Sequence, residues 1–181
     1  MISDSSRKYA YLVFSILLST FVIMLSAPPA AAQPFGGGSG TPEDPYIIEN
    51  VEQLQAMKDN LSAHYALGND IDASDTVNWN GGAGFEPVGT SDNPFTGSFD
   101  GRGYKITNLY INRSGTNNVG LFGCIGPGSV VENVGLENEN VIGSDLVGGL
   151  VGYNKEGNIS KCYSTGSVSG TNGAGGLAGY N

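Results

Sequence analysis

The chain predicts an all-β fold, a right-handed parallel β-helix with a short N-terminal capping helix. Three observations carry that prediction. A glycine-framed phrase recurs: VGLFGCIG from Val119, VGGLVGYN from Val147 and AGGLAGYN from Ala174. Its shared unit starts at Gly120, Gly149 and Gly176, steps of 29 and 27 residues, and a period in the twenties marks stacked repeats. Companion rows recur in step. Ile106-Thr107-Asn108-Leu109 is echoed by Val131-Glu132-Asn133-Val134 and by Ile159-Ser160-Lys161-Cys162, while Val141-Ile142-Gly143 is echoed by Val168-Ser169-Gly170. Composition agrees, with 29 glycines for corners and charged residues at only 14%.

Strands this short cannot be stable alone. Stacked at about 4.8 Å, each coil bonds to the next and its apolar side chains form inward ladders. Leu121, Leu150 and Leu177 make one expected ladder; Leu109, Val134 and Cys162 make another. Cys124 falls where Tyr153 and Tyr180 stand, so the two cysteines belong to different rows. Two buried thiols are expected rather than a disulfide, which needs close and aligned Cβ atoms.

The elements follow in order. Residues 1–32 read as a signal peptide: Arg7 and Lys8, an apolar run from Tyr9 to Ala27, then Pro28, Pro29 and three alanines, with cleavage after Ala32. The apolar run is long enough that an uncleaved anchor is the alternative, and it is the chain's one expected contact with a membrane. Residues 33–41, QPFGGGSGT, read as a flexible linker. Residues 42–118 are expected to hold the N-terminal cap and the first coils. There Asn50 and Gln53 have capping spacing, and Val51, Leu54, Met57 and Leu61 form an apolar stripe, predicting a helix to about Asn60. His64 to Ile71 reads as one strand, Asp72 to Gly84 as a polar loop holding Trp79, and Phe95 to Gly101 as a turn-rich strand pair. Residues 119–181 are the repeats. They are expected to be truncated at the C-terminus, so that further repeats or another chain would complete that edge.

These residues resemble the GLUG repeat family, through Gly149-Leu150-Val151-Gly152 and the following GNISKCYSTGSVSG from Gly157 to Gly170. Gly120-Leu121-Phe122-Gly123 is a divergent copy, and Gly176-Leu177-Ala178-Gly179 is an opening with nothing after it. The leading GSGTPEDPYIIENVEQLQAM and FTGSFDGRGYKITNLYI look like the first coils of pectin-lyase-type β-helices. The resemblance implies a bacterial or archaeal surface or secreted protein, with adhesin-like chains and some IgA-cleaving metalloproteases among its members. It implies attachment or spacing, and it transfers no catalytic residue.

The search for chemistry is short. The net charge of −9 argues against nucleic acid. His64 is the single histidine, so there is no HExxH zinc motif and no histidine metal pair. Asp70, Asp72 and Asp75 cluster; they read first as polar turn residues, and next as a calcium site, the one cofactor considered. Asp70 and Asp72 flank Ile71 and would share one face of a strand. Arg102 and Lys105 could supply the basic group that an elimination needs. Asn60, Asn112 and Asn158 head glycosylation sequons, a short pattern that arises readily by chance. Tyr46, Tyr65, Tyr104, Tyr110, Tyr153, Tyr163 and Tyr180 either cover corners or form a strip for stacking sugars. The expectation is a noncatalytic extracellular or cell-surface module that offers a polar face to a glycan or surface protein. The alternatives are a polysaccharide lyase or glycoside hydrolase of the pectin-lyase-like class, and a pure spacer.

Overall fold

A computed structural model describes residues 35–181; the expected signal peptide or anchor and the cleavage after Ala32 lie outside the described residues. The first strand, β1 (Tyr46–Ile48), leads into helix α1 (Val51–Ala56), which tightens into a 3-10 turn at Met57–Asp59. The Asn50 side chain accepts from the Gln53 N–H at 2.9 Å, while the Gln53 side chain accepts from the Glu49 N–H at 2.6 Å. One orphan donor of the first turn is thereby satisfied, and the residue before the cap is tied to the same turn. Val51, Leu54 and Met57 bury the predicted stripe against the core.

The rest is strands. They are β2 (His64–Leu67), β3 (Ile71–Asp72), β4 (Ser98–Asp100), β5 (Lys105–Thr107), β6 (Tyr110–Asn112), β7 (Phe122–Ile125), β8 (Val130–Glu132) and β9 (Gly135–Glu137). Then come β10 (Asn140–Ile142), β11 (Asp145–Gly148), β12 (Val151–Asn154), β13 (Asn158–Ser160), β14 (Tyr163–Ser164), β15 (Ser167–Ser169), β16 (Asn172–Gly175) and β17 (Ala178–Tyr180). They form five small sheets with parallel pairing: β1-β2-β4-β8-β13, β3-β5-β9-β14, β6-β10-β15, β7-β12-β17 and β11-β16. The chain therefore visits the sheets in the same order on each circuit. The helix and the short 3-10 turns within Ser74–Gly82 are the departures from that order.

Register explains burial. In a three-residue strand the middle side chain faces in and its neighbours face out. Phe99, Val131 and Ile159 align in the first sheet, Ile71, Ile106 and Leu136 in the second, and Ile111, Val141 and Val168 in the third. Leu121 and Leu150 are fully buried and Leu177 packs on the same core, as the repeated phrase predicts. Phe95, Phe99 and Phe122 pack together, with ring centroids 4.9 and 5.6 Å apart. The glycines of the phrase let circuits touch: a Cβ on Gly152 would lie 2.5 Å from the Val119 nitrogen.

Several expectations are corrected. The segment 33–41 is not a flexible linker where it is described. Gly36 donates to Ile47 and His64 donates to Gly40, at 2.8 and 3.0 Å, and Phe35 stacks on Tyr46 at 4.7 Å. Its glycines serve tight turns, with Gly38 and Gly40 at positive φ. His64 to Ile71 breaks into β2 and β3, and Phe95 to Gly101 yields the single strand β4, with Phe95 making only a bridge to Ile125. The row led by Ile106 pairs with Leu136, while Val131 pairs with Phe99 and Ile159. An apolar-x-Asn unit occurs at two successive corners of one circuit, at Val131-Glu132-Asn133 and Leu136-Glu137-Asn138, and Asn108, Asn133 and Asn138 all take positive φ of 55–59°. Sequence spacing alone merges those two corners. Val134 does stack with Cys162, but Leu109 stacks with Glu139.

Glu139 is consequently a carboxylate in an aliphatic position, 2% exposed. Its Oε1 accepts from the Gly166 N–H at 2.8 Å and contacts the Ser164 hydroxyl, which also reaches the Gly176 carbonyl at 2.8 Å. Its Oε2 is buried without a partner among the described residues. A truncated buried hydrogen-bonding group costs roughly 1–3 kcal/mol. Glu139→Ala is therefore expected to lower the urea midpoint. Glu139→Gln, which keeps an oxygen for the Oε1 contacts, should stay near the parent chain; urea denaturation followed by circular dichroism checks both.

Candidate functional site

The corner between the first and second sheets builds a concavity. After β4 the chain turns through Gly101, Arg102 and Gly103, two residues more than the same corner between β8 and β9. The Asp100 carboxylate holds this corner, accepting from the Arg102 N–H at 2.8 Å and from the Asn133 side-chain amide of the next circuit at 2.9 Å. The same device recurs one corner on, where Asp72 accepts from the Ser74 N–H at 3.0 Å and from the Asn108 side-chain amide at 3.1 Å. These bonds, led by the one from Asn108, hold the Asp72 carboxyl below its ordinary range.

Arg102, Asn133 and Lys161 occupy this corner in successive circuits, at φ of 52°, 55° and 52°. Gly103 N–H bonds to the Asn133 carbonyl, and Asn133 N–H bonds to the Ser160 carbonyl. Together with Gly135 and Tyr163 they line a cleft of about 490 Å³. The ion pairs among the described residues are Lys58–Glu86 at 2.5 Å and Lys105–Glu137 at 2.9 Å, so neither Arg102 nor Lys161 has an acidic partner within 4.0 Å.

Beside the cations lies an aromatic wall. The Tyr163 side chain is 47% exposed, and its ring lies over Gly135, where an added Cβ would sit 2.2 Å from the ring's Cζ. Its hydroxyl donates to Glu137 Oε1 at 2.9 Å, and Lys105 Nζ donates to Glu137 Oε2 at 2.9 Å. The hydrogen bond from Lys105, then that from Tyr163, lowers the Glu137 carboxyl; the bonds to Glu137 raise both Lys105 and Tyr163.

The residues singled out in sequence are dispersed. Asp70 accepts from the Lys105 N–H at 3.0 Å, Asp72 is committed to its corner, and Asp75 lies exposed in the 3-10 region. Among the described residues no three His, Cys, Asp or Glu side chains gather as a metal-holding group. The His64 Nδ1 lies 2.7 Å from the Ser98 hydroxyl of the neighbouring strand. Asn60 and Asn158 are exposed, whereas Asn112 is half-buried in β6. The tyrosines divide rather than form one strip: Tyr46 and Tyr65 pack at the N-terminal end, Tyr153 meets Tyr180 at 5.5 Å, and Tyr104 and Tyr163 are exposed near the cleft. Cys124 and Cys162 are both free. Glu137 and Lys161 were missed as site residues. The available signal for Lys161 was its place in the unit where Asn108 and Asn133 stand.

Parallel stacking of short repeated circuits, with corner-borne polar side chains, defines a β-rich repeat domain. The chain carries a match to the GLUG motif over residues 143–169. Over 147 residues, 78% of the chain, it is 46% identical to halomucin of Haloquadratum walsbyi. Over 144 residues it is 38% identical to a candidate Gly-rich membrane protein of Evansella cellulosilytica. The chain spans 2% and 17% of the lengths of these relatives. A crystal structure from Bacteroides ovatus, described as a candidate immunoglobulin A1 protease, is similar with a TM-score of 0.59 at 27% identity, over 73% of this chain and 40% of that one. Among the described residues no helix is long and apolar enough to cross a membrane.

Two solution properties follow. Because Glu137 is stabilised in its charged form, its contribution is present above the ordinary carboxylate range, near pH 4.3, and is lost as pH falls through its lowered folded value. Carbon-detected NMR titration should give a Glu137 midpoint below that range, moving upward in Lys105→Met. Burial raises both thiols. With a disulfide reagent at mildly alkaline pH, Cys162 is expected to react more slowly than a free thiol, and Cys124 only after unfolding.

Proposed function

We propose that this is a noncatalytic, exported module of the cell surface or extracellular space, built as a right-handed parallel β-helix. It presents a polar flank to a glycan or surface protein. The hand rests on the general right-handedness of parallel crossovers within a sheet. The surface setting is supported by the GLUG motif and by a relative named as a membrane protein. Strands β13 to β17 form the outer edge of every sheet, with Ile159, Cys162, Val168 and Leu177 only partly buried. In this reading further repeats or another chain pack there. No cofactor is part of it.

The observation that carries the noncatalytic reading is the Lys105–Glu137–Tyr163 network. An elimination needs a group ready to take a proton near neutral pH. Lys105 and Tyr163 are both pushed away from that condition, because each donates to the same carboxylate. Asp70 and Asp72 already accept backbone hydrogens, and among the described residues no carboxylate lines the cleft.

The test pairs a glycan array and a cell-binding assay with a turnover screen on acidic and neutral polysaccharides. Binding without turnover is expected. Turnover that is abolished by Asp70→Asn, Asp72→Asn or Tyr163→Phe would overturn the reading in favour of a lyase or hydrolase. Silence in both binding assays would reduce the module to a spacer.

A further inference from the structure

We infer that the corner cleft is a binding site for an anionic saccharide, a pyranose unit bearing a carboxylate or sulfate, with Arg102 and Lys161 receiving the acid and Tyr163 stacking on the ring. The inference rests on the surface-module reading and gives it a ligand class and an address.

Charge comes first. The chain carries a net −9, so an acidic ligand is repelled over most of its surface. Lys58 and Lys105 are each neutralised by a glutamate, yet Arg102 and Lys161 stand in one cleft without an acidic partner. They sit in equivalent left-handed corners two strands apart, about 10 Å by strand spacing. The cleft thus offers two positive points along its length, with Asn133 between them.

The aromatic wall gives the second half of the chemistry. A sugar ring has an apolar face of C–H groups, and a tyrosine covers it while its own polar tip remains bonded. Tyr163 is held in that posture from both ends. Gly135 leaves room for the ring to lie flat, and Glu137 accepts its hydroxyl. A preorganised ring loses little freedom on binding. An exposed aromatic face beside two unpaired cations, in a cleft of about 490 Å³, fits one charged sugar and its neighbours better than a flat protein surface.

The flank position matters as well. Arg102 and Lys161 occupy a side corner, so circuits stacked beyond β13 to β17 would extend the row without covering it. A linear polysaccharide would run along the stack axis and meet the corner of each circuit in turn.

The experiment uses isothermal titration of the chain with four probes: oligogalacturonate, dextran sulfate, neutral dextran and polyglutamate. Oligogalacturonate and dextran sulfate are expected to bind and to weaken as salt rises. Neutral dextran is expected not to bind, and polyglutamate to bind at least tenfold more weakly. Arg102→Gln with Lys161→Gln, and separately Tyr163→Ala, should each weaken oligogalacturonate at least tenfold with unchanged melting temperature. Gly135→Val should do the same by displacing the ring.

Absence of binding to either acidic polysaccharide overturns the inference, and so does binding indifferent to the Arg102 and Lys161 changes. Polyglutamate binding as well as oligogalacturonate also overturns it, since the partner is then an acidic protein segment. The surface-module reading fails separately. Breakdown of oligogalacturonate that still requires Arg102 and Lys161 would end the noncatalytic reading while supporting this site. Cell binding unaffected by these variants would leave the module standing and remove the site.

Discussion

Strands of two to four residues cannot hold themselves together, and every described strand in this domain is that short. What holds them is the parallel backbone register between one circuit and the next. It supplies the hydrogen bonds that no segment can make internally. It also decides which side chain faces in, because a slip of one residue would turn each ladder inside out. The ladders from Phe99 to Ile159 and from Ile71 to Leu136 exist only because the pairing repeats without drift.

Corners carry the cost of that regularity. Each turn must leave the sheet direction without stranding backbone groups, and left-handed residues do this in a small space. Asparagine tolerates the conformation, and its amide can bond to an aspartate of the preceding circuit, as in Asn133 to Asp100 and Asn108 to Asp72. The polar residues that look like ligands in sequence are therefore mostly corner fasteners. Lys161 takes the asparagine's place without the fastening partner, which releases a positive charge toward solvent. The site and the scaffold are distinguished by what a corner residue touches, not by its residue type.

How far the fold was legible follows from the same point. The Leu121, Leu150 and Leu177 ladder was readable because a glycine-framed phrase repeats only once per circuit. The Ile106 row was misread because two corners of one circuit share a nearly identical unit, and only hydrogen-bond register separates them. The glycine-rich run before Asp44 looked flexible because composition does not reveal that its amides have acceptors at Ile47 and Asp44. Of the site, Arg102 and Tyr163 stood out by type, whereas Glu137 did not, because its importance comes from reaching Lys105 and Tyr163 on the adjoining strands. Glu139 gave no sequence signal of burial at all: only its alignment with Leu109 puts a carboxylate in the core.

The edgewise stacking of circuits has a mechanical side. The bonds between neighbouring circuits run along the stack, so tension applied along that axis opposes them one layer at a time rather than all together in shear. A circuit that detaches would pay out its whole contour, roughly 90 Å for a repeat of about 27 residues. The remaining layers would stay folded, because each depends only on its neighbours. The domain would then yield stepwise, as an extensible tether whose reserve of length scales with the number of turns.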